Sequence, residues 1–136
     1  SALVFRGANT GLDELTTTDA NQVWLVSGGA VVETAFDARE SLGMASSSIE
    51  DLAGGEAADN AAVAREVLSG GGADAVRDAV ALNVGAGILA WEGLDTPVTR
   101  ADFEQRMRGA VERALAVLAD GSGARLVERW VAASNG

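Results

Sequence analysis

The period of the apolar pattern changes near residue 47. Before it, apolar residues fall in short, β-branched stretches separated by glycines; after it, they recur at helical spacing. Leu3-Val4-Phe5, stopped by Arg6-Gly7, reads as a short buried strand. Ala8 to Asn21 is a polar, turn-rich loop holding Gly11-Leu12-Asp13-Glu14. Val23 to Val26 and Val31 to Phe36 flank Ser27-Gly28-Gly29, which predicts a hairpin with a Gly-Gly turn. Glu33 lies between Val31 and Ala35, so that face of the second strand is only partly apolar.

The helical half begins with two capping signatures, Ser47-x-x-Glu50 and Ser48-x-x-Asp51, for a short helix ending at Gly54-Gly55. Asp59 or Asn60 then caps a second helix, with Ala61, Ala64, Val67 and Leu68 on one stripe and a stop at Gly70-Gly71-Gly72. A third helix runs from about Asp74 to Trp91. Its apolar residues occupy most of the circumference, the mark of a helix buried in a core. Gly85, Ala86 and Gly87 allow close approach of a neighbouring helix, and Asn83, the polar exception, requires a hydrogen-bond partner. Thr99 with Asp102, just after Pro97, predicts the cap of a fourth helix, on which Phe103, Met107, Val111, Leu115 and Leu118 recur. After Asp120 to Gly123, a last helix carries Leu126, Val127, Trp130 and Val131 up to Asn135-Gly136.

Short strands and a hairpin followed by mostly helices give an α/β class, with too few strands to close a sheet. A short buried strand needs partners on both sides. A chain that opens on one therefore predicts that residues precede Ser1.

The 136 residues suit one domain or part of one, and 48% hydrophobic with 22% charged residues indicates a globular chain. The net charge of −10 argues against binding a nucleic-acid backbone. It leaves phosphate ligands open, because a divalent metal can bridge carboxylates and phosphates. Without Cys, His or Lys there are no disulfides, no thiolate nucleophile, no histidine base, no Walker A loop and no Schiff-base lysine. The longest nearly apolar stretch, Ala79 to Trp91, is shorter than the roughly 20 residues that a membrane span needs. No leader is visible, and the expectation is a soluble, cytoplasmic protein.

Asp13-Glu14 is the leading chemical candidate. Adjacent carboxylates in a loop after a strand can take Mg²⁺, which keeps waters and accepts substrate phosphate oxygens. Spacing alone equally describes a solvated loop. The glycine clusters read better as a hairpin turn, a connector and a helix stop than as phosphate cradles. Thr16-Thr17-Thr18 could offer hydroxyls to a ligand but reads better as a polar loop. Trp24, Trp91 and Trp130 read as core or interface anchors, since no basic stripe accompanies them. Arg6 has two readings: a phosphate or carboxylate contact, or a salt bridge to Asp13 or Glu14.

Val4-Phe5-Arg6-Gly7 followed by Gly11-Leu12-Asp13-Glu14-Leu15-Thr16 resembles the metal-binding motif of the anthranilate phosphoribosyltransferases. Asp37 to Leu42-Gly43, Leu52 to Ala61 and Val76 to Asn83 resemble three further motifs of that family, in order. The resemblance implies a partial α/β domain of the nucleoside phosphorylase/phosphoribosyltransferase type over residues 1–136. It implies a metal role for Asp13 and Glu14 with Mg²⁺ as cofactor, and assigns no other catalytic or substrate-binding residue here. In the intact enzyme, anthranilate's amine displaces pyrophosphate from C1′ of phosphoribosyl pyrophosphate, in tryptophan biosynthesis. The resemblance also implies a homodimer for the intact enzyme, and no membrane or nucleic-acid partner. The family's helical domain, glycine-rich loop and Lys-His-Gly-Asn segment would lie before Ser1, so the 136 residues alone are expected to be inactive and to bind Mg²⁺ poorly. Two alternatives differ in class: a non-enzymatic, nucleic-acid-binding member of the superfamily, and a pyrimidine nucleoside phosphorylase. The charge and Asp13-Glu14 disfavour the first, and the helix motifs fit the second less well.

Overall fold

The computed structural model describes residues 1–94 and 99–136. Strands β1 (Ala2–Gly7), β2 (Asn21–Ser27) and β3 (Ala30–Phe36) form an antiparallel sheet in chain order. Val4 pairs with Trp24, and Trp24 with Glu33. The hairpin forms where Gly-Gly predicts it. Gly28 and Gly29 have φ of 57° and 78°, the left-handed values that a two-residue type I′ turn needs at both positions.

On the central strand β2, Asn21, Val23 and Leu25 are buried while Gln22, Trp24 and Val26 are half-exposed. This alternation follows from the period-two side-chain geometry of a strand. The expectation of a buried β1 is corrected. Leu3 and Phe5 share the inner face with Leu25 and Val23 but are only half-buried, because β1 is an edge strand paired, among the described residues, only with β2; Val4 is 54% exposed because it lies on the outer face beside Trp24.

The helices are α1 (Ala38–Leu42), α2 (Ala57–Leu68), α3 (Asp74–Glu92), α4 (Arg100–Ala119) and α5 (Ser122–Ser134), with a 3-10 turn at Glu50–Leu52. α1 has no counterpart in the periodicity, although its signals are present: Asp37 accepts from Arg39 N at 2.9 Å as N-cap, and Gly43 closes it with φ 73°. Ser48, before the 3-10 turn, and Asp51, within it, bond reciprocally, so the second of the two signatures operates. α2 is capped three or four residues earlier than the predicted Asp59 or Asn60. Glu56 is its N-cap and Asp59 completes a capping box, while Asn60 binds back to Gly55. Of the α2 stripe only Val67 is buried. Thr99 caps α4, its side chain accepting from Asp102 N at 3.2 Å; Pro97 lies outside the described residues.

The core sits between the sheet's inner face, α3 and α4. Phe36 meets Phe103 edge to face at 5.4 Å, and both are fully buried beside Leu25, Leu82, Leu89 and Met107. The predicted α4 stripe faces this core through Phe103, Met107, Val111 and Leu118. α3 packs one face only. Ala81, Leu82, Gly85, Ala86 and Leu89 are buried, whereas Val84 is 45% and Trp91 is 91% exposed. Apolar residues all round this helix therefore do not mean burial all round. Gly85 is the point of close approach, since a Cβ there would lie 2.9 Å from Val111 Cγ2; Gly87 faces open space. Trp130 is 74% exposed on α5, a helix with no buried residue, so neither it nor Trp91 is a core anchor. Among the described residues no helix is long and apolar enough to cross a membrane.

Candidate functional site

Asp13 and Glu14 form an exposed bend in the loop from β1 to β2. The loop is polar and carries no regular structure of its own, so its backbone groups need specific partners. Upstream, Gly7 N donates to Leu12 O at 2.7 Å and Gly11 N to Gly7 O at 3.1 Å, folding Gly7 to Leu12 into a closed turn. Gly11 adopts φ 70° there. Downstream, Leu15 is fully buried in the core. Its N–H donates to Asn83 Oδ1 at 3.1 Å, and its C=O accepts from Asn83 Nδ2 at 2.9 Å. Asn83 thus has the partners that its polarity demanded. The two acidic residues sit between a closed turn and a core anchor.

The rest of the loop is tied with equal economy. Asp19 accepts from Asn9 N at 2.5 Å, Asn9 Nδ2 at 2.8 Å and Thr10 N at 3.1 Å. Burial is the largest influence on the Asp19 pKa and pushes it up. The hydrogen bonds from Asn9, Thr10 and Ala20 together outweigh it and hold the carboxyl below its ordinary value. Asn21 accepts from Thr16 N and donates to the carbonyls of Thr16, Asp19 and Phe36. The threonine hydroxyls are consumed internally, Thr16 with Thr18 at 2.7 Å and Thr17 with Ser47 at 2.8 Å, in keeping with the polar-loop reading.

Neither Asp13 nor Glu14 makes a side-chain hydrogen bond or ion pair among the described residues. Arg6 does not pair with them; its Nε donates to Gln22 Oε1 at 3.1 Å, across the β1–β2 ladder. Several other carboxylates are paired: Asp37 with Arg39, Asp78 with Arg77, Glu92 with Arg113 and Glu104 with Arg100. For Asp37, the Arg39 guanidinium hydrogen bond is the chief cause of a lowered pKa. Two adjacent hard-oxygen donors, facing solvent and not paired with any described arginine, suit a Mg²⁺ ion that keeps waters and takes phosphate oxygens. They do not make a cage: among the described residues no three or more His, Cys, Asp or Glu converge as metal ligands. The groove between the 3-10 turn, α2 and α3, lined by Leu52, Val63, Val67 and Val80, excludes the pair and is apolar. At Gly54-Gly55 the connector reading holds, since Gly55 N already donates to Asn60.

The model of the glycosyl transferase family, a/b domain, matches residues 1–124. The chain belongs to this family. It is similar to the anthranilate phosphoribosyltransferases of Arthrobacter sp. (strain FB24), 46% identical over 98% of this chain and 36% of that one, and of Nocardioides sp. (strain ATCC BAA-499 / JS614), 47% identical over 98% and 37%. The crystal structure of anthranilate phosphoribosyltransferase from Thermus thermophilus superimposes with a TM-score of 0.75 at 36% identity, over 96% of this chain and 35% of that one. The chain therefore spans a little over a third of these relatives. As a member of the glycosyl transferase family it has the fold class expected from its sequence, a three-stranded antiparallel sheet with mostly helices, matching part of an α/β domain.

Proposed function

We propose that this chain carries the metal- and pyrophosphate-facing element of an anthranilate phosphoribosyltransferase. Asp13 and Glu14 hold Mg²⁺ in that reading, in a pathway leading to tryptophan in the cytoplasm. The observation that carries it is the bend itself: two adjacent, exposed carboxylates that no described residue pairs, held between a closed turn and a buried anchor, in a glycosyl transferase family domain.

In the reaction a bond forms between anthranilate nitrogen and C1′ of phosphoribosyl pyrophosphate. The bond from C1′ to the pyrophosphate oxygen breaks, and the amine releases a proton. When bound, the metal supplies charge neutralisation on the departing pyrophosphate. Asp13 and Glu14 contribute oxygen ligands and negative charge at a fixed place. Leu15 and the Gly7–Leu12 turn hold that place, so little reorganisation is needed when substrate arrives. Phosphoribosyl pyrophosphate, anthranilate and a homodimeric state belong to the whole enzyme in this reading. The pair alone would supply too few ligands for tight binding, and substrate phosphate oxygens would have to add the rest.

The nucleic-acid alternative has no observation in its favour, and a net charge of −10 opposes it. The test is steady-state formation of phosphoribosyl-anthranilate, followed by loss of anthranilate fluorescence. With Asp13→Ala and Glu14→Ala introduced into an active longer form, turnover should fall by about 10²-fold or more. An unchanged rate refutes the metal role.

A further inference from the structure

We infer that Asn83 of α3 is the positioning residue for the Asp13–Glu14 pair: its carboxamide fixes the Leu15 backbone, and so the bend that presents both carboxylates to a metal-bound pyrophosphate. The inference rests on the reading of the pair as metal ligands.

The geometry is specific. Asn83 Oδ1 accepts from Leu15 N at 3.1 Å, and its Nδ2 donates to Leu15 O at 2.9 Å and to Ala79 O at 2.8 Å. The amide meets both backbone polar groups of one residue, as a neighbouring strand does in an antiparallel ladder. Its orientation is unambiguous, because the oxygen must face the Leu15 N–H and the nitrogen must face two carbonyls. The bond to Ala79, one turn back, locks the side chain to its own helix. That helix is in turn held against α4 at Gly85, two residues on, where no Cβ fits. The bend is thus referenced to the rigid helical core across 68 positions of sequence, through the residue next to Glu14. Asn21 ties the same loop, but at Thr16 and to the sheet. A side chain that orients metal ligands without touching the metal typically changes affinity by about 10–100-fold when removed.

The experiment uses the 136-residue chain, with Mn²⁺ as the paramagnetic probe and inorganic pyrophosphate present. Broadening of the backbone amide resonances of residues 12–16 is followed by NMR. In the unaltered chain, broadening should centre on Asp13 and Glu14 and vanish in the Asp13→Asn/Glu14→Gln variant. Asn83→Ala should raise the Mn²⁺ concentration at half-broadening about tenfold and speed hydrogen exchange of the Leu15 amide. Val67→Ala, which empties core volume in α2, should leave the midpoint unchanged. If Asn83→Ala does not fold, Asn83→Ser carries the test: its hydroxyl can still bond Ala79 within the helix but cannot bracket Leu15. The same shift is expected. An Asn83 variant with an unmoved midpoint, while Asp13→Asn/Glu14→Gln abolishes broadening, overturns the positioning role and spares the pair. Broadening that survives Asp13→Asn/Glu14→Gln overturns the reading of the pair, and the positioning role with it.

Discussion

At the residue scale, the loop before β2 divides its acids by task. Asp19 is consumed in holding the loop, and Asp13 and Glu14 are held by it without side-chain partners among the described residues. Asp19→Asn keeps the shape but removes the charge behind three hydrogen bonds. It should cost about 1–3 kcal/mol in urea denaturation. The pH dependence has a definite sign. Because the native-state pKa of Asp19 lies below the ordinary value of 3.8, its contribution is complete well above that pH and is lost as pH falls through the lowered native value. Asp37, lowered chiefly by its hydrogen bond from Arg39, behaves in the same direction. Acid titration of the Asn9 and Thr10 amide resonances should therefore show the turn intact at pH 5 and opening only under stronger acid. In Asp19→Asn the acid-dependent change at these amides should disappear; its persistence would assign it to another group. Asp13-Glu14 was legible in the sequence as a motif, but its support was not. The Leu15–Asn83 bonds join positions 68 apart, and no local pattern encodes such a pairing.

At the element scale, local chemistry was readable and burial only in part. Gly28-Gly29 specifies its turn through backbone freedom alone, so the hairpin lies where the sequence puts it. The α4 stripe was readable for the same kind of reason, because its apolar face repeats every three or four residues. β1 and α3 differ because an apolar residue does not announce what covers it: Val4, Val84 and Trp91 are apolar and exposed. α1 escaped because five residues are too few for a period to register. The α3–α4 seam yields a paired prediction. Gly85→Ala places a Cβ 2.9 Å from Val111 Cγ2 and 3.3 Å from Val111 N. Overpacking of this kind costs about 1–3 kcal/mol, more than the propensity that Ala regains. Gly87→Ala meets nothing within 4 Å and should stabilise by roughly 0.5–1 kcal/mol. Thermal and urea unfolding of the two variants should move in opposite directions; a stabilising Gly85→Ala would refute the close helix contact.

At the scale of the whole molecule, the sheet and two long helices give the carboxylate pair a rigid base, while in the proposed reading the pair would supply only part of a metal's ligands. The chain spans a little over a third of its relatives, and the proposed chemistry needs ligands and substrate contacts beyond Asp13 and Glu14. The 136 residues by themselves should form no phosphoribosyl-anthranilate, and measurable product from the purified chain would contradict this. The most direct measurement is made on a chimaera in which these residues replace the matching segment of the Thermus thermophilus protein. With phosphoribosyl pyrophosphate, anthranilate and Mg²⁺ supplied, the chimaera should turn over, and its Asp13→Ala/Glu14→Ala form should be slower by about 10²-fold or more. Equal rates for the two forms would contradict the assignment of the pair.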